Sequence, residues 1–363
     1  MAQTSDQADQ RSLQAAGQRP EVFAGKGSAR SAVPGRRGGR VTLDASQTAL
    51  ARSRVYHLLG KLFLYGLTDE TLPHVRAVDE LADALSVFRA QTGELDLDSA
   101  AADYQHIFGF NVFAFGSTFL DETARVGGDE TERVTDAYLA AGFPVVETGE
   151  AADHLGVELN FLGFLARMES EHTGDDAEHA RRLTRTFLDE HLLAWLAPIT
   201  VAIRRQGHPF FTALADLTLE MVCDHRADLE PPDDQSLREL PEPPDILEDP
   251  KTGLRDIGKY LLTPAYSGIY LSRDDIRALS RGGELPAGFG ARRTMLNNLL
   301  RSAADYDGLT DVLDGLRVLV EQMREAHRAF AKTCPPPAGQ MAEMWLGRLD
   351  RTEEMLGQIA AHV

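Results

Sequence analysis

Apolar side chains recur every three to four residues through most of the chain, and that period predicts helices. Val55, Leu58, Leu59, Leu62 and Phe63 fall at i, i+3, i+4, i+7 and i+8, one stripe of an amphipathic helix. Gly66 and Thr68-Asp69 mark its stop and the next start. A second helix is expected through Leu81 and Leu85 to about Arg89, and a third, capped by Asp98, carries Tyr104, Ile107 and Phe108 on one side. Residues 109–128 read as a loop, with Phe110, Phe113, Phe115 and Phe119 set among Gly and Ser. Helices follow at Asp129–Ala140, at 152–171 and from Asp176 onward, where Pro198 is expected to kink or break the run. Residues 208–225 make one more.

Between Asp228 and Lys251 the pattern stops: six prolines and nine acidic residues stand against one Arg. Such a segment cannot offset its ordering entropy by burial and reads as a stiff, solvated linker. Beyond it, Ser272 can cap a helix running to Gly282-Gly283, and longer amphipathic helices are expected at 309–332 and 340–361, parted by Pro335-Pro336-Pro337. No strand of useful length and no fixed-period repeat appears. The fold class is therefore all-α in four parts: a disordered tail over 1–44, a helical domain over 45–228, an acidic Pro-rich linker over 229–250, and a second helical module over 251–363.

Charge narrows the partners. The net charge is −19, and the first 40 residues hold seven Lys/Arg against three Asp/Glu, which leaves −23 on the remainder. A surface that acidic repels phosphate backbones, so nucleic acid is excluded as a partner and basic peptides are favoured. Two isolated cysteines, Cys223 and Cys334, read as a buried thiol and a loop thiol; they give no sign of a disulfide framework and agree with a reducing compartment. No uninterrupted apolar run of about 18 residues occurs, so no stable membrane insertion is expected. Arg36-Arg37-Gly38-Gly39-Arg40 has the look of an export signal, but Val41-Thr42-Leu43-Asp44 leads into polar residues instead of an apolar segment, and the chain is expected to stay in the cytoplasm.

Candidate chemistry is sparse. Glu169-Ser170-Glu171-His172 has the Glu-x-x-His spacing of carboxylate-bridged metal sites, but its near match Asp176-x-x-His179 follows almost at once, so no metal site is expected. No phosphate loop of the G-x-x-x-x-G-K-[ST] type and no Gly-x-Ser-x-Gly is present, and nothing nominates a nucleophile with its base; no catalytic residue is expected. The most informative patch is 153–162. Asp153 and His154 lie at a helix start, where unpaired N–H groups and the positive dipole end favour a carboxylate, and Glu158 follows His154 by one turn on the same face. It reads either as a capped helix with a surface pair or as a recognition site at a helix mouth.

Taken in order, these residues resemble the TorD/DmsD/NarJ family of molybdoenzyme chaperones. The resemblance rests on Tyr104-x-x-x-Phe108 before the aromatic loop, then Phe115-Gly116-Ser117-Thr118-Phe119-Leu120-Asp121. It continues in Asp153-His154-Leu155-x-x-Glu158-Leu159-x-Phe161-Leu162 and Phe187-Leu188-x-x-His191-Leu192-x-x-Trp195-Leu196. It covers about residues 48–228 and implies an all-helical domain that binds the twin-arginine signal peptide, and with it the apo form, of a molybdoenzyme catalytic subunit until molybdopterin is inserted. On this reading the client-binding residues are Asp153, His154, Glu158, Gly116, Ser117, Phe115, Phe119, Leu120 and Tyr104. No cofactor is held permanently; transient contact with molybdopterin or a nucleotide is left open, as is the choice between monomer and homodimer. The alternative is a general helical adaptor or assembly factor without twin-arginine preference. Residues 251–363 have no counterpart in the usual family members, and Val112-Phe113-Ala114-Phe115 stands where prolines are common. A helical module packing on the first domain or on a client is expected there, with Tyr266-Ser267-Gly268-Ile269-Tyr270 as a second possible peptide or cofactor contact.

Overall fold

The computed structural model describes residues 44–93, 96–144, 149–230, 238–283, 285–286 and 288–362; the expected tail, save Asp44, and residues 231–237 of the expected linker lie outside them. Helix α1 (Ala45–Tyr65) begins at a capping box on Asp44 and ends where Gly66 turns out with φ 69, as its sequence predicts. Short α2 (Leu72–Val75) and α3 (Asp79–Thr92) follow. Helix α4 (Leu97–Tyr104) is capped by Asp96, not Asp98: the Asp96 carboxylate takes the N–H groups of Asp98 and Ser99. It runs on into a π-helical turn over Gln105–Asn111.

The stretch read as a loop contains a short helix, α5 (Gly116–Leu120), before α6 (Asp129–Ala140). Helix α7 (Leu155–Glu171) is capped by His154. Two glycines let α1 and α7 close on each other: a Cβ on Gly156 would sit 2.7 Å from the Gly60 carbonyl oxygen, and one on Gly60 would sit 2.8 Å from the Gly156 carbonyl oxygen. Ser53 adds a hydrogen bond of 2.7 Å to the Gly163 carbonyl at the same seam.

Pro198 does not break its helix. α8 (Asp175–Phe187), a π-turn over Leu188–Leu192 and α9 (Leu193–Arg204) form one continuous rod. A proline has no N–H, so the carbonyl four residues back loses its helical partner. That carbonyl belongs to Ala194, and the indole N–H of Trp345 donates to it at 2.8 Å from the far end of the chain. One 18-residue window of this rod has the mean hydropathy of a membrane span without being an uninterrupted apolar run, and 83% of that window is buried inside the protein.

Helix α10 (Pro209–Ala227) closes the first helical region. The described part of the linker is not solvated throughout: Leu240 and Pro243 are buried, and Arg348 donates to the carbonyls of Leu240 and Pro241 at 3.2 and 3.0 Å. Alternating prolines and apolar residues let this acidic strap dock without needing a backbone ladder. Helices α11 (Leu254–Leu261), α12 (Pro264–Ser267), α13 (Arg273–Gly282), α14 (Arg292–Asp305), α15 (Leu309–Thr333) and α16 (Ala338–Ala360) complete the chain. Of these, α13 starts at the Ser272 capping box that its sequence predicts, while α11 and α14 were not foreseen. Helices α15 and α16 pair with each other and lie on α9; α12 lies on α5 and α16. The fold is all-α: among the described residues the only β-type pairing is one isolated bridge between Phe115 and His154.

Candidate functional site: a buried carboxylate cluster beneath an acidic cleft

That isolated bridge is the seed of the site. The Gly116 N–H donates to the Asp153 carbonyl at 2.9 Å and the Leu155 N–H to the Ala114 carbonyl at 2.8 Å, which ties the aromatic loop to the start of α7. The Asp153 carboxylate is fully buried and fully used: it accepts the Ser117 N–H at 2.7 Å and the Thr131 hydroxyl at 2.6 Å, so one side chain joins α5, α6 and α7. His154 caps α7 by accepting the Gly156 N–H on Nδ1 at 3.1 Å, and its ring meets Phe115 edge-on at 4.9 Å. Burial pushes His154 down to about 4, so it is a neutral imidazole.

Glu158 is not a surface partner of His154. It is fully buried, neither carboxyl oxygen has a hydrogen-bond partner in normal geometry, and the Trp195 indole lies beside it. Burial first, then the neighbouring Glu130 and Asp153, raise it well above the usual carboxylate range, which favours its protonated form. Glu130, also buried, pairs with His191 at 2.8 Å and with Arg238 of the linker.

Of the expected site residues, Phe115, Gly116, Ser117, Phe119, Asp153, His154 and Glu158 meet in this cluster. Phe119 is buried between Trp195 (ring centroids 5.5 Å apart) and Tyr270 (5.0 Å, stacked). Tyr270 also pins the loop backbone, accepting the Phe113 N–H at 2.8 Å and donating to the Asn111 carbonyl at 3.0 Å. The Tyr266–Tyr270 segment is thus a buried clamp on the aromatic loop. Tyr104 makes its bonds elsewhere: its hydroxyl reaches the Phe63 and Leu64 carbonyls at the end of α1. Glu169 and His172, weighed as metal ligands, bond Arg181 at 2.7 Å and the Met168 carbonyl at 2.8 Å.

Leu120, itself buried, borders a surface cleft of about 430 Å³ lined by Asp121, Glu122, Asp129, Glu239 and Glu242 against Arg133 and Arg238. Five carboxylates against two guanidiniums make it a cation-attracting surface with an apolar floor. Asp121 is pushed up to about 6, chiefly by burial, with Glu130 and Asp129 adding to the rise. Sequence reasoning missed Glu130, Thr131, Asp121 and Arg238, because Arg238 reaches the 121–131 stretch from more than 100 residues further along the chain.

The signature motifs of this all-helical fold thus converge on one buried carboxylate cluster. Residues 70–201 match the family described as "Nitrate reductase delta subunit". The chaperone protein TorD of Vibrio atlanticus (strain LGP32) is 26% identical over 176 residues, 41% of this chain and 80% of that protein. TorD of Aliivibrio salmonicida (strain LFI1238) is 25% identical over 167 residues, 40% of this chain and 78% of that one. The selenate reductase assembly chaperone protein of Thauera selenatis is 51% identical over 49 residues, 13% of this chain and 25% of that one. These relatives are named for chaperone and assembly roles and not for catalysis, in line with the non-enzymatic expectation. The family match ends at residue 201, short of α10 and everything after it.

Proposed function

We propose that this chain is a cytoplasmic chaperone that holds the apo form of a molybdoenzyme catalytic subunit by its twin-arginine signal region until the molybdopterin cofactor is inserted. The family match over residues 70–201 carries the chaperone part of this reading. The acidic cleft beside Leu120 supports the peptide part. A twin-arginine signal brings two guanidiniums beside an apolar stretch, and this cleft offers carboxylates above an apolar floor. The buried Asp153 and His154 then act as the supports that hold α5 and α6 around the cleft, and Glu158 fills its base. Arg238 rests on Glu130 at the cleft's inner edge, which is the contact an incoming arginine would make.

Calorimetric titration with a synthetic twin-arginine signal peptide tests this. Glu122 and Asp129 are exposed, so the Glu122→Gln/Asp129→Asn variant keeps the fold. Each charge-assisted hydrogen bond lost is worth about 1.5–3 kcal/mol, so affinity should drop roughly tenfold or more. A peptide with both arginines replaced by glutamine should bind the wild type as weakly. Equal affinity of all four combinations would refute the reading and favour a general adaptor.

A further inference from the structure

In a chain of net charge −19, one cavity is lined by five cations and no carboxylate. It measures about 280 Å³ and lies where the turn after α5 meets the helices of the C-terminal region. Arg125 comes from that turn, Lys259 from α11, Arg273 from the first position of α13, and Arg292 and Arg293 from the first two positions of α14. None of the five forms an ion pair with a carboxylate among the described residues; the nearby Asp274 is taken by His106 and Arg277, and Asp275 by Arg205. Clustering cations without counter-ions costs electrostatic energy, and here the surrounding chain is rich in acids that could have neutralised them.

Two further features aim the cavity at an anion. Helix α14 has no side-chain cap at Ala291 and no acidic residue in its first turn, so its free N–H groups and positive dipole end open onto the same space. The neighbouring α13 contrasts with it, having both a capping box and two acidic residues in its first turn. The Nε of Arg273 is buried with no partner although its guanidinium lies over the Phe110 ring at 5.4 Å. Arg292 is held in place by Phe113 at 5.3 Å, by Tyr270 at 4.5 Å and by the Leu271 carbonyl at 3.1 Å, which leaves the rest of its fork free.

We propose that this cavity binds a small ligand carrying two or more phosphoryl groups. Five cations from four segments exceed what one carboxylate or one phosphate can engage, whereas a diphosphate matches their spread with bidentate contacts. The volume left over, walled by Phe113, Leu262 and Ala291, takes an organic group. The site joins the aromatic loop to the C-terminal helices, so occupancy locks these two regions together.

Inorganic pyrophosphate is the probe, titrated calorimetrically into the full chain at low and high salt. Arg125, Lys259 and Arg293 are exposed, so Arg125→Gln/Lys259→Gln/Arg293→Gln leaves the core intact, which a thermal melt checks. The expected result is binding that weakens with salt and falls at least roughly tenfold in the triple variant. The remote Arg328→Gln variant, removing an exposed cation paired with Glu321, should bind as the wild type does. Absence of pyrophosphate binding, binding unchanged in the triple variant, or a polyglutamate peptide binding more tightly than pyrophosphate would each overturn the proposal, the last in favour of an acidic protein segment.

Discussion

Two side chains carry the titration behaviour that follows from this arrangement. His154 has a folded-state value of about 4 against an ordinary 6.5, because burial disfavours its charged form. Its contribution to stability is fully present above pH 6.5 and is lost as pH falls toward 4, when the unfolded chain takes up a proton that the folded chain refuses. Asparagine also caps helices through a side-chain acceptor. His154→Asn should therefore keep α7 while removing on the order of 3 kcal/mol of pH dependence between pH 7 and 4, read from urea unfolding across that range. An undiminished slope would contradict the neutral, buried assignment. Asp121 works in the other direction: raised to about 6, it is ionised above that pH and neutral below it. Binding of a cationic peptide should accordingly weaken between pH 7 and 5, and Asp121→Asn should flatten that dependence in the same titration. The motif residues Asp153 and His154 were legible in the sequence as a capped helix mouth. Burial of Glu158 was not, because a carboxylate one turn along a helix looks the same whether it faces water or the core; only the packing of Glu130, Trp195 and Asp153 around it decides.

At the scale of helices, two local rules are broken and then repaired by tertiary contacts. Pro198 was expected to kink or break its helix, and α9 continues because Trp345 supplies the hydrogen bond that Ala194 lost. Trp345→Phe keeps the packed ring and deletes the donor. It should cost about 1–3 kcal/mol, the usual penalty for an unpaired buried acceptor, measured by chemical denaturation. A change near zero would mean that the carbonyl finds another partner. The α1–α7 seam is the second case: Gly156→Ala would force a methyl against the Gly60 carbonyl and should destabilise by about 1–3 kcal/mol. Helices that start at a side-chain cap, such as α1 and α13, were readable from sequence. Helix α5 was hidden because its five residues are too few to show a period, and α14 because it starts without a cap.

Across the whole molecule, the region after the linker is built into the first domain. Tyr270 clamps the aromatic loop, Trp345 completes α9, and the strap at 238–242 lies against α16 through Arg348 and Arg351. The two cysteines, distant in sequence and read as unrelated, meet at this junction: the Cys223 thiol lies against Cys334 and lowers it below the usual thiol range, while Cys223 itself is raised by that contact and by burial. Cys334 should therefore alkylate readily with iodoacetamide at pH 7.5 and Cys223 only on unfolding, which peptide mass mapping resolves. The central claim remains that a twin-arginine signal docks in the acidic cleft above the Asp153 cluster. Hydrogen exchange of the full chain with and without a synthetic twin-arginine peptide tests it most directly. The account predicts added protection over residues 116–122 and 129–133, with residues 238–242 altered as Arg238 yields Glu130 to the incoming arginine. Protection confined to other regions, or none at saturating peptide, would contradict it.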